Sequence, residues 1–308
     1  MLMFYAPLLR ASKFSLFCFA CLIIAACQSP NTPVQAPPST PPKPTATIER
    51  PIKIGLALGG GAARGFAHIG VIKALEAQGI IPDIVVGTSA GSVVGALYAG
   101  GYSGFELQKI ALQMEESEIG DWTLSLRGIL RGEALQNFIN KAVQQRPLEK
   151  LSKPFAAVAT DLKTGEMVIF ERGNTGMAVR ASSAVPGVFQ PVMIQGREYV
   201  DGGLTSPVPV RAARKLGADF VIAVDISSKP QYAETGGSLA NLLQTFTIMG
   251  QSISQYELAD ADLVLRPNLR SAGTDFNARH TNILEGEKAT QQALNELRQK
   301  LQAKRQRP

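Results

Sequence analysis

The chain of 308 residues is poor in the side chains that most often form metal sites and crosslinks. It contains three cysteines, two histidines and one tryptophan. Cys18 and Cys21 lie in an N-terminal apolar run that is typical of an export signal, so a processed chain would keep only Cys27. An internal disulfide is then excluded, and the fold must depend on its hydrophobic core. We predict no metal and no cofactor.

The chain also has only a small excess of positive charge. Removal of the two basic residues Arg10 and Lys13 with the leader lowers the formal net charge from +6 to +4. The remaining lysines and arginines are scattered and are not interleaved with aromatic residues, which excludes nucleic acid as a partner. The small positive excess suits an anionic lipid surface. The composition leaves the oligomeric state open.

Residues 1–26 are predicted to be a leader and not part of the fold. The apolar run Phe14–Ala26 is about thirteen residues long, short of the roughly 20 that a membrane-spanning helix needs. It ends at Ala26-Cys27, which resembles a bacterial lipobox with cleavage before Cys27 and lipid on that cysteine. A plain export signal and a retained anchor helix are the alternatives. The lipobox predicts a lipid-anchored protein of the bacterial cell envelope, and Gln28 favours the outer membrane of a Gram-negative cell.

Composition divides the rest of the chain. Residues 27–51 are rich in proline, serine and threonine and predict an extended tether behind the lipidated cysteine. Residues 52–303 have the length of one domain with a large core. Residues 304–308 form a basic tail.

The domain alternates apolar runs with helical patterns. The predicted strands include Lys53–Leu58, Asp83–Val86, Phe155–Thr160 and Phe220–Asp225, and these runs are continuously apolar rather than alternating. Such strands are buried on both faces. We therefore predict an α/β fold, a three-layer sandwich with a mostly parallel central sheet.

The most informative motif is Gly87-Thr88-Ser89-Ala90-Gly91. A β-branched strand enters it, and a helix of small residues leaves it. This arrangement is typical of a nucleophile elbow, in which a sharp turn presents one serine hydroxyl above a sheet. Ser89 is therefore the candidate nucleophile.

A second glycine-rich loop, Gly59–Gly65, lies between the first strand and the first helix. Consecutive glycines allow backbone N–H groups to converge on a small anion. A dinucleotide fingerprint is excluded because Arg64 stands where its last glycine would be. The second strand also ends in Gly87 instead of an acidic residue for a ribose. The loop therefore predicts an oxyanion hole.

The base that would activate Ser89 has more than one candidate. His280 follows in the chain order of a Ser–acid–His triad, but its surroundings are those of a surface residue. His68, on the first helix, is predicted to pack or to hydrogen-bond locally.

A carboxylate could also act directly. Asp201 ends a strand and is followed by two glycines that permit close backbone approach, and burial would raise its pKa toward the working pH. Asp161 and Asp225 also end strands and are assigned structural roles. The residues alone leave both Asp201 and His280 open as the base.

Four motifs, in order, resemble the patatin-like phospholipase family: Gly59–Gly65, Gly87–Gly91, Ala181–Val192 and Asp201–Gly203. The similarity runs from about Ile54 to Asp225. The chain lacks the aspartate that precedes the glycine loop in plant members, where Leu58 stands, and it looks closer to short bacterial members.

The resemblance implies a Ser–Asp dyad, with Ser89 as nucleophile and Asp201 as base. The implied oxyanion hole consists of Gly59, Gly60 and Gly61, with Arg64 as a further candidate. The implied activity is hydrolysis of phospholipids or other fatty-acyl esters through an acyl-serine intermediate, without a cofactor. A non-catalytic envelope lipoprotein that binds lipid or a protein partner is the alternative, and so is an esterase that uses His280.

The segment Gly101–Gln145 contains several apolar residues, among them Trp122 and Leu130. It predicts either a lid or interfacial surface over the site, or a pair of core-packing helices.

Overall fold

The computed structural model describes residues 51–114, 130–228, 236–271, 273 and 275–306. The strands are β1 Ile54–Leu58, β2 Ile84–Thr88, β3 Phe155–Asp161, β4 Met167–Phe170, β5 Val192–Ile194, β6 Arg197–Asp201, β7 Phe220–Val224 and β8 Leu263–Leu265. The helices are α1 Phe66–Ala77, α2 Ala90–Ala99, α3 Gly104–Gln113, α4 Glu133–Ala142, α5 Thr175–Ser182, α6 Val210–Lys215, α7 Ser238–Leu258 and α8 Arg279–Arg305.

The strands form one eight-stranded sheet with the pairing order β5-β6-β3-β2-β1-β7-β8, and β4 also pairs with β3. The pairs β3–β2, β2–β1, β1–β7 and β7–β8 are parallel. The strands β4, β5 and β6 are attached by antiparallel pairing. The carboxyl ends of the five parallel strands therefore share one edge of the sheet, where ligands of such folds bind.

Both faces of the sheet are covered. On one face, side chains such as Leu56, Leu58 and Ile222 belong to a core shared with α1, α2 and α8. On the other face, Ala57, Val86 and neighbouring side chains pack against α6 and the end of α7. Every residue of β1, β2 and β7 is buried, which explains their unbroken apolar sequences. The predicted α/β three-layer architecture is confirmed.

Some predicted boundaries change. The strand predicted over Asp83–Val86 spans Ile84–Thr88. The last helix, α8, begins at Arg279, because a short 3₁₀ turn over Phe276–Ala278 leads directly into it. The short strand β5 was not predicted, since Val192–Ile194 has too few residues for a clear pattern. The leader, Cys27, most of the tether and Trp122 lie outside the described residues. No helix in the described part of the chain has the length and apolarity to cross a membrane.

Candidate active site

Ser89 lies at a strained turn between β2 and α2. Its φ of 53° and ψ of −124° belong to a region that non-glycine residues rarely occupy, a strain that is typical of nucleophile elbows. The turn also requires glycine on both sides. A Cβ on Gly87 would lie 2.3 Å from the Gly91 carbonyl oxygen, and one on Gly91 would lie 2.1 Å from the Leu58 carbonyl oxygen. The predicted G-x-S-x-G turn is thus sterically specified.

Neighbouring groups hold the turn in place. The Ser92 hydroxyl donates to the Ser89 carbonyl oxygen at 2.7 Å, and the Thr88 hydroxyl donates to the Ser206 carbonyl oxygen at 2.8 Å. Since α2 begins at Ala90, the positive end of its dipole lies at the serine. Negative charge that develops beside Ser89 would be stabilised there.

The register of β3 explains how Asp201 reaches Ser89. Thr88 of β2 pairs with Val158, and Asp201 of β6 pairs with Ala159, the next residue of β3. Because β4 pairs continuously with Ala157–Thr160, it occupies one edge of β3, and β2 and β6 must share the other edge. The two strands run toward each other and end at adjacent positions. The candidate nucleophile and the candidate base are brought together by this register.

Asp201 is buried, with 6% of its surface exposed. Its Oδ1 accepts the Gly203 N–H at 2.7 Å, while the buried Oδ2 is not in hydrogen-bond geometry with any described group. Burial raises the pKa of Asp201 to about 6, although the nearby Ser89 hydroxyl and the Gly203 N–H favour the ionised form. Contacts between catalytic groups often shorten only when substrate binds. A carboxylate with this pKa is ionised at pH 7 and has one oxygen available to accept a proton.

The glycine loop passes beside the nucleophile, since a Cβ on Gly60 would lie 3.3 Å from the Ser89 Cβ. The N–H of Gly59, however, donates to the Val224 carbonyl oxygen at 3.1 Å, and that of Gly60 donates to the Pro207 carbonyl oxygen at 2.9 Å. In this structure the N–H groups of Gly59 and Gly60 are therefore already engaged with backbone oxygens, and their role as oxyanion donors stays a prediction.

The amides that remain are those of Gly61 and Ala62. Neither N–H donates to an acceptor among the described residues. Ala62 also lines the cavity described below and has a positive φ of 50°, so the loop is strained at this residue. These two N–H groups are the candidate oxyanion donors.

Two basic side chains near the glycine loop, His68 and Arg64, are buried. His68 is fully buried, burial lowers its pKa to about 4, and its Nε2 lies 2.8 Å from the Gly59 carbonyl oxygen. The neutral ring therefore donates its Nε2–H to that oxygen, which confirms the predicted local hydrogen bond. Burial lowers the pKa of Arg64 to about 10, against the opposing attraction of Asp225. Arg64 is not among the described residues that line the cavity.

The segment Ser182–Ala184 contacts both candidate catalytic residues. The Ser182 hydroxyl accepts the Ser89 N–H at 2.9 Å and donates to the Val158 carbonyl oxygen at 2.5 Å. The Ala184 carbonyl oxygen accepts the Asp201 N–H at 2.9 Å. From sequence, this stretch is distinguished only by its family resemblance, and no role is predicted for Ser182.

A cavity of about 620 Å³ opens beside Ser89. Its walls come from the glycine loop, α1 to α4 and the loop after α5, and they are almost wholly apolar. Along α2 the cavity is lined by Val93, Val94 and Leu97. At a rise of 1.5 Å per residue, the lining extends about 12 Å from Ser89 to Leu97. The shape and chemistry suit a hydrocarbon chain.

The segment Gly101–Gln145 contributes to this cavity through α3, α4 and Leu130, whose backbone bridges to Phe189. Its helices are therefore cavity walls as well as core elements. The stretch 115–129 lies outside the described residues, and a lid role stays a prediction.

The other predicted candidates lie elsewhere. His280 is exposed on the first turn of α8 and is not among the described cavity residues. Asp161 binds Arg197 at 2.8 Å and caps its own turn, and Asp225 lies 3.5 Å from Arg266. Within the described residues there is no cluster of acidic, histidine or cysteine side chains that could hold a metal ion.

A strained serine above the carboxyl edge of a mostly parallel, doubly covered sheet defines the class of α/β proteins with a nucleophile elbow. The family model for patatin-like phospholipases matches residues 56–214, just over half of the 308 residues. The chain belongs to the patatin-like phospholipase family.

Curated relatives align with a little over half of this chain. An uncharacterised NTE family protein of Mycobacterium tuberculosis is 40% identical over 177 residues, which is 57% of this chain and 49% of that protein. Human patatin-like phospholipase domain-containing protein 6 is 36% identical over 186 residues, 58% of this chain and 14% of that protein. The lysophospholipase NTE1 of Mycosarcoma maydis is 35% identical over 58% of this chain and 10% of that protein. The chain thus aligns with half or less of each relative.

Among solved structures, VipD from Legionella pneumophila superposes with a TM-score of 0.58 at 14% identity, covering 80% of this chain and 68% of VipD. ExoU of Pseudomonas aeruginosa in its complex with SpcU gives a TM-score of 0.50 at 14% identity, with 82% and 53% coverage. These similarities support the fold.

Proposed function

We propose that the chain is a serine acyl-ester hydrolase that acts on lipids, with Ser89 as nucleophile and Asp201 as base. The single observation that carries this proposal is the apolar cavity of about 620 Å³ that begins at Ser89. The register of β3 also brings Asp201 close to Ser89. The names of the relatives, a phospholipase-domain protein and a lysophospholipase, support the substrate class. We propose phospholipids or lysophospholipids as substrates.

In the acylation step, the Ser89 Oγ attacks the ester carbonyl carbon while Asp201 Oδ2 accepts the hydroxyl proton. The acyl chain occupies the cavity. The carbonyl oxygen becomes an oxyanion beside the N–H groups of Gly61 and Ala62 and the amino end of α2. When the tetrahedral intermediate collapses, the bond to the alcohol oxygen breaks and Asp201 returns the proton to that oxygen.

In the deacylation step, a water molecule takes the place of the released alcohol. Asp201 accepts a proton from this water while the water oxygen attacks the carbonyl carbon of the acyl-serine. The same N–H groups stabilise the second oxyanion. Collapse then releases the fatty acid and restores the Ser89 hydroxyl with the proton from Asp201. No step requires a cofactor.

We further propose that lipid on Cys27 holds the enzyme at a bacterial envelope membrane, with the outer membrane favoured by Gln28. Two features support contact with lipid. Residues 238–256 of α7 contain no charged side chain, and Leu242, Ile248, Met249 and Tyr256 are exposed there. Gly250 lies beside Gly203, so this uncharged stretch of α7 passes the catalytic loop.

A fluorophosphonate probe tests the catalytic proposal. The full chain in detergent, Ser89→Ala and Asp201→Asn are treated side by side and read by intact mass. We expect one adduct on the wild type, none on Ser89→Ala and slow labelling of Asp201→Asn. No adduct on a folded wild type would favour the non-catalytic binding protein.

Labelling of cells with an alkyne fatty acid tests the anchor. The wild type should incorporate label and sediment with membranes, while Cys27→Ser should do neither. Label that persists in Cys27→Ser would contradict the lipobox assignment.

A further inference from the structure

Two polar side chains line the cavity among the residues that the structure describes, and both are serines. One is Ser89, and the other is Ser183. Every other described lining residue is apolar or glycine. Since Ser89 is the candidate nucleophile, Ser183 is the remaining polar group that a bound substrate would meet.

The hydroxyl of Ser183 is an unsatisfied polar group. Only 8% of the residue is exposed, and its Oγ has no hydrogen-bond partner among the described residues. Its backbone groups are both satisfied, because the N–H donates to the Val179 carbonyl oxygen at 3.0 Å and the carbonyl oxygen accepts the Val185 N–H at 2.9 Å. A buried hydroxyl without a partner is costly to the fold, and a catalytic role is one of the reasons for which native proteins keep such groups.

The neighbouring residues fix where this hydroxyl lies. Ser182 binds the Ser89 N–H, and Ala184 binds the Asp201 N–H. Ser183 therefore lies between the contacts to the nucleophile and to the base, on the β3 and β6 side of Ser89. The glycine loop that would hold the oxyanion follows β1, on the opposite side of β2. Ser183 is thus on the side where Asp201 returns a proton to the departing alcohol.

We infer that Ser183 is a substrate-contacting residue whose hydroxyl donates a hydrogen bond to the alcohol oxygen of the scissile ester. A rotation about its Cα–Cβ bond directs the hydroxyl into the cavity. The bond stabilises negative charge on that oxygen as the carbon–oxygen bond breaks, while Asp201 supplies the proton. This inference rests on the proposed ester hydrolysis. It adds a hydrogen-bond donor that assists the departure of alkyl alcohols in particular.

The test compares two esters of one fatty acid, a glyceryl or lysophosphatidyl ester and a 4-nitrophenyl ester. Nitrophenolate disperses its own charge and needs little assistance, whereas an alkoxide needs much. For Ser183→Ala we expect kcat/KM, which reports the acylation step, to fall roughly 10- to 100-fold on the alkyl ester and only about twofold on the nitrophenyl ester. Ser183→Thr, which keeps the hydroxyl, should recover most of the alkyl-ester activity.

Thermal unfolding separates this role from a structural one. Ser183→Ala should unfold at the wild-type temperature or above it, because it removes an unsatisfied hydroxyl. Ser182→Ala should unfold several degrees lower, because it removes a hydroxyl with two partners.

An equal loss of activity of Ser183→Ala on both esters, or no loss on either, would overturn the inference about Ser183. Turnover of these esters by the wild type would still support the proposed hydrolysis. A wild type that cleaves neither ester and takes no fluorophosphonate would overturn both.

Discussion

The backbone N–H of Ser89 donates a hydrogen bond of 2.9 Å to the hydroxyl of Ser182. That hydroxyl in turn donates to the carbonyl oxygen of Val158 on β3. The strained turn is therefore attached to the sheet through a side chain from α5. A nucleophile whose backbone conformation is unfavourable depends on such a restraint.

Replacement of Ser182 by alanine should leave a buried donor and a buried acceptor unpaired. We expect the free energy of unfolding to fall by about 1–3 kcal/mol, and kcat to fall roughly tenfold because the turn loses its restraint. Urea unfolding and steady-state kinetics measure the two effects. The exposed Ser252 provides a control, since Ser252→Ala should change neither. Unchanged stability of Ser182→Ala would show that the hydrogen bond contributes little.

The raised pKa of Asp201 predicts how activity depends on pH. A base must be ionised, so kcat/KM should fall below a pKa of about 6 and approach a tenfold loss for each further pH unit. Profiles from pH 4.5 to 9 on a nitrophenyl ester measure this limb. A profile that stays flat from pH 7 down to pH 5 would show that the base is not a buried carboxyl with a pKa of about 6.

The same burial has a cost in stability. The folded state binds the Asp201 proton more tightly than the unfolded state, so stability falls as pH rises from 3.8 to about 6 and stays reduced above that. Asp201→Asn should therefore be inactive yet more stable than the wild type at pH 8, by about 1–3 kcal/mol. Urea unfolding at pH 8 measures this. A less stable variant would mean that the ionised carboxylate contributes more to the fold than its burial costs.

How much of this site follows from sequence depends on the range of its contacts. The elbow at Ser89 and the acid at Asp201 could be predicted because each is encoded within a few consecutive residues. The engagement of the Gly59 and Gly60 N–H groups could not, because they donate to Val224 and Pro207, which are more than 140 residues away. The buried strands could be predicted from their apolar runs, but the order of the strands and the register that joins β2 and β6 on β3 could not. The role of Ser182 could not be predicted either, since its partners are Ser89 at the turn after β2 and Val158 on β3.

Glu257 illustrates a contact that no local pattern indicated. It is 4% exposed on α7, and both of its carboxyl oxygens lie 2.8 Å from the hydroxyl of Ser206, five residues after Asp201. Burial raises the pKa of Glu257 to about 7, against the opposing effects of Ser206 and Arg211. The helix is thus attached to the catalytic loop by a carboxyl that changes charge near neutral pH.

Since the folded state binds this proton more tightly, Glu257 should reduce stability as pH rises from 4.5 to about 7. Glu257→Gln keeps a hydrogen-bonding partner for Ser206 and cannot ionise. We expect the two proteins to have similar free energies of unfolding at pH 5. At pH 8 the variant should be the more stable of the two. Urea unfolding of both proteins at the two pH values measures the effect. A constant difference would show that Glu257 does not titrate in this range.

His280 separates a dyad from a triad. It is exposed on α8, while the other histidine, His68, is buried and donates to the Gly59 carbonyl oxygen. His280→Ala should retain activity within about twofold, whereas loss of a triad histidine costs on the order of 10⁶ in turnover. Single-substrate kinetics on both proteins decide between these outcomes. A large loss with intact folding would overturn the assignment of Asp201 as the direct base.

The cavity predicts a limit on acyl-chain length that can be moved by one substitution. Ala111 is 3% exposed and lines the cavity from α3, so a larger side chain there would enter space that the acyl chain is expected to fill. Ala111→Phe should leave kcat/KM on a four-carbon ester nearly unchanged and reduce kcat/KM on a sixteen-carbon ester roughly tenfold, because the end of the longer chain loses burial.

The neighbouring Leu112 is 44% exposed and absent from the cavity lining, so Leu112→Phe is the matched control and should not change the dependence on chain length. Initial rates across a series of chain lengths measure the shift. An equal loss on short and long esters would show that the substitution disturbs the Ser89 turn instead of the chain site, and an unchanged series would mean that the acyl chain lies outside this cavity.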